Sequence, residues 1–221
     1  MVVGFVWYTS LMNIYYVLIG IVVLIVLWTL GSYLVVRTIE KPAYTIIENR
    51  DGYEVRKYES YIVAETKVSG NRQEAVTTGF QIIADYIFGN NVSKKGIAMT
   101  APVLESQVSE KISMTSPVLS TESTAGERVI AFVLPSAYTL ETLPIPNNNA
   151  VILREVPAYT VAALTFTWYA TPSRIEKKKE ELISLLERDN VMPKGDIQVA
   201  QYNPPLSMPL MLRNEIIIPI E

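Results

Sequence analysis

Two methionines fifteen positions apart, Met99 and Met114, occupy the same place in a repeated octapeptide. The two copies read IAMTAPVL, at Ile97–Leu104, and ISMTSPVL, at Ile112–Leu119, and they agree at six of eight positions. A methionine thioether is flexible and polarisable, so it can fill irregular space in a core or cover a flat ligand in a groove. The sequence leaves both uses open for this pair.

Histidine and cysteine are both absent from the 221 residues, which removes the commonest general base, the commonest metal ligands and every disulfide. No serine stands in a G-x-S-x-G context, no glycine-rich phosphate loop occurs, and the acidic residues are scattered. The chain is therefore predicted not to be an enzyme and to hold no metal through these side chains. Its net charge of −3 argues against a nucleic-acid partner.

Read as strands, each copy of the octapeptide places its methionine on the same face as its isoleucine and its valine. Proline cannot donate a hydrogen bond to a strand ladder. We therefore expect Pro102 and Pro117 to mark equivalent bulges or ends of pairing, a common device for bending a sheet.

Local signals predict the elements that surround these strands. Asp51-Gly52 between two runs rich in Tyr, Ile and Val is a hairpin signal, and a further strand is expected over Tyr61–Val68. A helix is predicted from Arg72 to Phe88, followed by a left-handed glycine. Thr171-Pro172 predicts the start of a second helix.

A longer-range repeat links the two predicted helices. The segment RKYESYIVA at 56–64 recurs as REVPAYTVA at 154–162, 98 positions later, and each copy precedes a predicted helix. This order predicts two structural repeats that pack their sheets into one curved or barrel-like core. The proline-rich segment 134–147 is the expected crossover between the halves, extended and outside regular ladders.

The N-terminal part of the chain is apolar. The run from Ile14 to Val36 has no charged residue and exceeds the roughly 20 residues that a helix needs to cross a bilayer. A basic start and small residues at a cleavage site are lacking, so we interpret the segment as a retained anchor. The predicted organisation is an anchor at 1–36, a juxtamembrane link at 37–43 and one domain at 44–221. Basic residues follow the run and none precedes it, which favours a single-pass protein with a cytoplasmic domain.

Near the C-terminus, Arg213 and Glu215 precede an apolar strand, and alternation places them on the same face. One interpretation is an ion pair that locks this last strand to the sheet. The other places both residues at the mouth of a ligand groove.

Several of these segments occur together in one known family. The motifs IAMTAPV, ISMTSPV, FVLPSAYTLETLPIP, ILREVPAYTVAAL and QYNPPLSMPLMLRNEIII closely resemble those of the SOUL haem-binding protein family, over roughly residues 43–221. The resemblance implies an α+β domain in which duplicated repeats form a distorted antiparallel β-barrel flanked by two helices. The N-terminal transmembrane helix is additional to that pattern.

The resemblance also implies a ligand, haem or a related flat hydrophobic molecule, held in an apolar groove beside the first helix of the domain. The residues expected to line it are Val76, Thr77, Phe80, Ile83, Ala84, Ile87, Met99 and Met114. The expected function is membrane-tethered binding of this ligand without His or Cys ligation, with the lipid bilayer as a partner through residues 14–36. The alternative is an interaction protein whose groove binds a peptide or lipid.

Overall fold

The computed structural model describes residues 2–94, 109–122, 127–204 and 206–221, with side chains from residue 15 onward. Three α-helices lie in these ranges: α1 Val2–Thr38, α2 Arg72–Ile87 and α3 Pro172–Arg188. The segment of α1 from Tyr15 to Thr38 is long and apolar enough to cross a membrane, and its side chains are almost entirely exposed.

The strands form one large antiparallel sheet of nine members and one small pair. Their bounds are β1 Tyr44–Arg50, β2 Tyr53–Tyr58, β3 Tyr61–Ser69, β4 Asn91–Val92, β5 Val118–Glu122, β6 Glu127–Val133, β7 Ile145–Pro146, β8 Ile152–Val156, β9 Tyr159–Phe166, β10 Gln198–Gln201 and β11 Asn214–Pro219. The large sheet has the order β1-β2-β9-β11-β10-β5-β6-β3-β8, and β4 pairs with β7. The sheet is curled into a half-barrel, so the predicted α+β class is confirmed.

The turn and capping signals in the sequence act where they were expected. Gly52 has φ +99° in the hairpin between β1 and β2, a conformation that glycine adopts at little cost. The Asn71 side chain accepts a hydrogen bond from the Glu74 backbone N–H at 3.0 Å and begins α2. Thr171 caps α3 in the same way, with Pro172 in the first turn.

The inner strands of the large sheet are buried on both faces, whereas the edge strands β1 and β8 are largely exposed. The helix face packs against α2 and α3, and its clusters include Ile83 and Phe132 under α2 and Leu182 and Ile216 under α3. The opposite face, here called the tyrosine face, carries Tyr58, Tyr61, Tyr159 and Tyr202 among small aliphatic side chains. Each inner strand thus alternates between two cores, because successive side chains point to opposite sides of a sheet.

The predicted duplication is visible in the strand register. Tyr58 lies opposite Tyr159 in the β2–β9 pair, and Tyr61 lies opposite Val156 in the β3–β8 pair. The two pairs are equivalent under the 98-residue repeat, because Tyr58 corresponds to Val156 and Tyr61 corresponds to Tyr159. The hydroxyl groups of the equivalent residues Tyr61 and Tyr159 meet at 2.8 Å, so the two repeats are related by a twofold axis near this contact.

The second octapeptide departs in part from the predicted strand. Pairing begins only at Val118, directly after Pro117, as the missing N–H of proline requires. The preceding residues are not in a strand, so the strand interpretation of 112–117 was wrong, whereas Pro117 does mark an end of pairing as predicted. Their backbone hydrogen bonds go elsewhere: Ile112 N–H donates to the Ile87 carbonyl at the end of α2, and Ser116 N–H donates to the Glu40 carbonyl of the juxtamembrane link. The first copy, with Met99 and Pro102, lies outside the described residues.

Candidate functional site

The ligand face predicted on α2 is divided between the core and the surface. Ile83, Ala84 and Ile87 are at most 7% exposed and pack on the helix face of the sheet. Val76 and Phe80 are half-buried at the edge of the same cluster, and Thr77 is exposed. The part of this face that a ligand can reach without movement of α2 is therefore Val76, Thr77 and Phe80.

Phe80 is held in place by an aromatic contact. Its ring lies 5.2 Å from the ring of Phe132 on β6, at an interplanar angle of 57°. Such tilted pairs are favourable because the positive edge of one ring meets the negative face of the other. The remaining half-exposed side of Phe80 is a flat apolar surface with a fixed orientation.

The first turn of α2 has a cationic side chain close to this surface. Burial and the nearby Arg128 guanidinium lower the pKa of Arg72, and Glu122 only partly opposes them. Arg128 itself pairs with Glu122 at 2.7 Å, whereas Arg72 has no ion pair within the described ranges. Two guanidiniums thus lie near one carboxylate at this end of the helix, and that carboxylate is paired with Arg128. Spacing in the sequence does not indicate this role of Arg128, because β6 meets α2 only in the folded chain.

Met114 is 42% exposed and lies within the segment that joins the end of α2 to the juxtamembrane link. Its side chain is therefore not core filler. Two of the flanking residues fix the segment: Ile112 is buried against α2, and the Thr115 hydroxyl donates to the Val133 carbonyl. Met114 is not part of the described cluster that Phe80 packs against, so their association remains a prediction.

A separate cleft of about 610 Å³ lies at the end of the sheet beside the juxtamembrane link. The Glu40 carboxylate accepts a hydrogen bond from Ser136 N–H at 2.9 Å and thereby ties the link to the crossover segment. Apolar groups of Ile62, Leu134 and Leu140 line the cleft. Its charged lining residues are Glu40, Lys41, Glu59, Glu141 and Glu155. The excess of carboxylates gives the cleft a negative potential, opposite to that at Arg72.

On the tyrosine face, Arg213 and Glu215 form the ion pair that one interpretation of the sequence predicted, at 2.6 Å. The Glu215 carboxylate is fully buried and also accepts bonds from Arg56 at 3.0 Å and from the Tyr202 hydroxyl at 2.6 Å. Burial raises the pKa of Glu215, but Arg56 and Arg213 outweigh it and hold that pKa below its usual value. Glu215 is not at the mouth of a groove, so the network joins β2 to β11.

Metal coordination has no obvious ligand set. The chain contains no histidine or cysteine, and the described residues include no group of three or more acidic side chains that could hold a metal ion.

Comparison with known proteins identifies the family of this chain. A family model described as SOUL heme-binding protein matches residues 39–219. The chain belongs to the SOUL family. The matched residues begin directly after α1 ends at Thr38, so α1 lies outside the SOUL pattern.

A relative with a similar sequence is Heme-binding protein 1 of Xenopus laevis. It is 25% identical over 170 residues, which cover 76% of this chain and 84% of the relative. Among solved structures, the C-terminal domain of EcmrR has a TM-score of 0.55 at 11% identity and covers 80% of this chain and 98% of that domain. A complex of EcmrR with DNA gives a TM-score of 0.53 at 10% identity, with 76% of this chain and 57% of that chain covered. At such identities these two likenesses concern the fold alone.

Proposed function

We propose that this SOUL protein binds haem or a related flat hydrophobic molecule, held by apolar contact without His or Cys ligation, while α1 tethers it to a membrane. The observation that carries the proposal is one stripe of α2. Arg72, Val76 and Phe80 follow one another at intervals of four residues, and side chains at this spacing lie above one another on one side of a helix. Haem is therefore a candidate ligand on both family and structural grounds.

Apolar contact along this stripe supports a flat ligand. The exposed sides of Phe80 and Val76 present a continuous surface, and burial of apolar area contributes about 25 cal/mol per Å² before the costs of association. Phe80 needs little reorganisation, because Phe132 already fixes its ring. A planar macrocycle could thus bind largely by excluding water from this surface.

The charges support one of the two candidate locations. Haem and protoporphyrin carry propionate groups, which are negative at neutral pH. The guanidiniums of Arg72 and Arg128 attract such groups, whereas the glutamates of the cleft beside the link repel them. We therefore assign the macrocycle to α2 and not to the cleft.

Titration of the full-length chain in detergent with haemin and with metal-free protoporphyrin tests the mode of binding. Apolar burial predicts similar affinities for both, followed by absorbance and by tryptophan quenching. A strong preference for haemin that one Tyr, Met or Lys substitution removes would replace this proposal with axial ligation. If neither compound binds saturably, the protein instead belongs to the alternative class, in which a groove binds a peptide or lipid.

Two substitutions test the location. Phe80→Ala should weaken binding of both compounds by about 1 kcal/mol, roughly fivefold in Kd. Arg72→Gln should weaken binding while leaving thermal stability unchanged, since Arg72 makes no ion pair in the described parts of the chain. The matched controls are Leu140→Ala and Lys41→Gln, which lie in the cleft. Loss of affinity in the controls and not in the α2 variants would move the ligand to the cleft.

The tether is supported by the exposed apolar surface of α1, which nothing in the described domain covers along most of its length. Full-length protein expressed in cells should remain in the membrane after alkaline extraction, and a variant lacking Met1–Val36 should be released as a folded domain. A reporter at the C-terminus should be cytoplasmic, because the basic residues Arg37 and Lys41 follow the helix. Extraction of the full-length protein by alkali would contradict the tether.

A further inference from the structure

We propose that the loop formed by residues 206–212, here called the apolar loop, inserts into the membrane surface beside α1 and places Leu206 and Leu210 against lipid. The inference rests on the proposed membrane tether and adds a second point of attachment, located within the SOUL domain itself. Its partner is the lipid bilayer. Five features of the loop and its surroundings support it.

The loop is docked on α1. The indole N–H of Trp28 donates to the Leu206 carbonyl at 2.8 Å, and Met208 N–H donates to the Ser32 hydroxyl at 3.0 Å. Both helix residues lie within the apolar segment Tyr15–Thr38 and not beyond its end. Where this segment is in a membrane, the apolar loop is in contact with the membrane as well.

The depth of the loop follows from the helix rise. At about 1.5 Å per residue, Ser32 lies about 8 Å and Trp28 about 14 Å along the axis from Arg37, the first charged residue. The headgroup layer on each side of a bilayer is about 5–8 Å thick, as the total thickness exceeds that of the hydrocarbon by about 10–15 Å. With Arg37 among the headgroups, the loop reaches the boundary of the hydrocarbon, a depth typical of interfacial elements.

The side chains of the loop suit that boundary. Leu206 is 87% exposed and Leu210 is 63% exposed, and neither belongs to a core cluster of the domain. Together with the exposed apolar side chains of α1 they form one continuous apolar surface, of the kind that marks an interaction site. Because the exposed side chains of α1 and of the apolar loop are both apolar, lipid is a favourable environment for both elements.

Much of the loop backbone is hydrogen-bonded within the protein, which lowers the cost of placing it in an apolar environment. Tyr202 N–H donates to the Arg213 carbonyl at 3.2 Å, and Arg213 N–H donates to the Asn203 side chain at 2.6 Å, which closes the base. Within the loop, the Ser207, Met211 and Leu212 N–H groups donate to the carbonyls of Pro204, Met208 and Pro209. The prolines have no N–H to pair.

Aromatic side chains lie beside the base of the loop. Asn214, the first residue after Arg213, donates a side-chain hydrogen bond to the Trp168 carbonyl at 2.8 Å. Trp168 and Tyr169 are 42% and 47% exposed. Trp168 has φ +73°, a costly conformation for a tryptophan, which presents the two rings on the surface of the domain. Amphipathic rings of this kind prefer the membrane–water interface.

Site-specific fluorescence tests the inference, because the chain has no natural cysteine. Leu206→Cys, Leu24→Cys and Met192→Cys are labelled singly with an environment-sensitive dye in the full-length chain and reconstituted into vesicles of phosphatidylcholine and phosphatidylglycerol. Leu24 reports on α1, and Met192 is a matched exposed control that is 70% exposed near the opposite end of β11. Quenching by nitroxide lipids and by aqueous iodide is measured for each label.

The expected result is several-fold stronger nitroxide quenching and weaker iodide quenching at position 206 than at position 192, with position 24 quenched by nitroxide as well. If position 24 is in lipid but position 206 behaves like position 192, the loop inference is wrong and the tether stands. If position 206 is shielded from both quenchers, a protein partner covers the loop and the inference is also wrong. If position 24 is not in lipid, the tether fails and the loop inference fails with it.

Discussion

Substitution of Glu215 by glutamine should lower the free energy of unfolding far more than its modest change in shape suggests. Every neighbour of the carboxylate is a donor: Oε1 accepts from Arg213 and Thr165, and Oε2 accepts from Arg56 and Tyr202. A glutamine amide nitrogen would face two of these donors in either orientation. Arg56, which is 1% exposed, would also lose the one fully buried counter-charge that it has among the described residues.

The expected loss is about 3–5 kcal/mol, the usual result of removing one partner of a buried ion pair. This is a large share of the roughly 5–15 kcal/mol that stabilises a typical domain. Glu54→Gln is the matched control, because Glu54 also contacts Arg56, at 2.7 Å, but is 36% exposed. Its loss should be about 0–1 kcal/mol, since exposed ion pairs contribute little.

The assay is urea unfolding of the full-length protein in mild detergent, followed by circular dichroism at several pH values. Because the folded-state pKa of Glu215 is depressed, its contribution to stability is present above the unfolded-state pKa of about 4.3 and is lost as the pH falls through the folded-state value. Glu215→Gln should therefore be less stable than the original protein at neutral pH, and its stability should also fall less as the pH becomes acidic. Equal, small losses for Glu215→Gln and Glu54→Gln would refute the view that this network locks β11.

Two further predictions concern the seating of α2. Gly79→Ala should lower the free energy of unfolding by about 1–2 kcal/mol in the same assay, because an added Cβ would lie 2.6 Å from Ile130 Cγ1 and the overpacking outweighs the better helix propensity of alanine. Thr78→Ala, on the exposed side of α2, is the control. A Gly79→Ala variant that is more stable than the original protein would contradict the close contact. Asn71→Ala should cost about 1 kcal/mol by removing the N-cap of α2, and an unchanged urea midpoint would show that the cap contributes nothing.

The sequence predicted the elements of this fold where short-range rules apply. The Asp51-Gly52 turn, the start of α2 after Asn71 and the Thr171-Pro172 cap are local, and each is confirmed. The 98-residue repeat was also predictable, because RKYESYIVA at 56–64 recurs as REVPAYTVA at 154–162. In the structure, the equivalent residues Tyr61 and Tyr159 meet at the twofold axis. The strand order was not predictable from spacing alone, since β10 pairs with both β5 and β11 across long intervals.

The candidate site was less predictable than the fold. A helical stripe identifies which residues share a side of α2, but not which of them the sheet covers, so Ile83 and Ile87 belong to the core. Arg128 joins Arg72 only through the packing of β6 against α2, and no spacing in the sequence indicates it. The second octapeptide became a strand only after Pro117, because its earlier residues bond to α2 and to the link.

The contact between Tyr61 and Tyr159 is what a symmetric homodimer would show on its axis, where a residue meets its own copy. Here both copies belong to one chain, joined by the crossover at 134–147. A homodimer carries every substitution twice, once in each subunit. In a single chain that contains both copies, a substitution in one half leaves the other half unchanged. The equivalent helices can therefore differ: α2 presents Val76 and Phe80, whereas α3 presents the charged run Glu176–Glu181. One half of the molecule can thus specialise in recognition while the other half keeps the shared sheet stable.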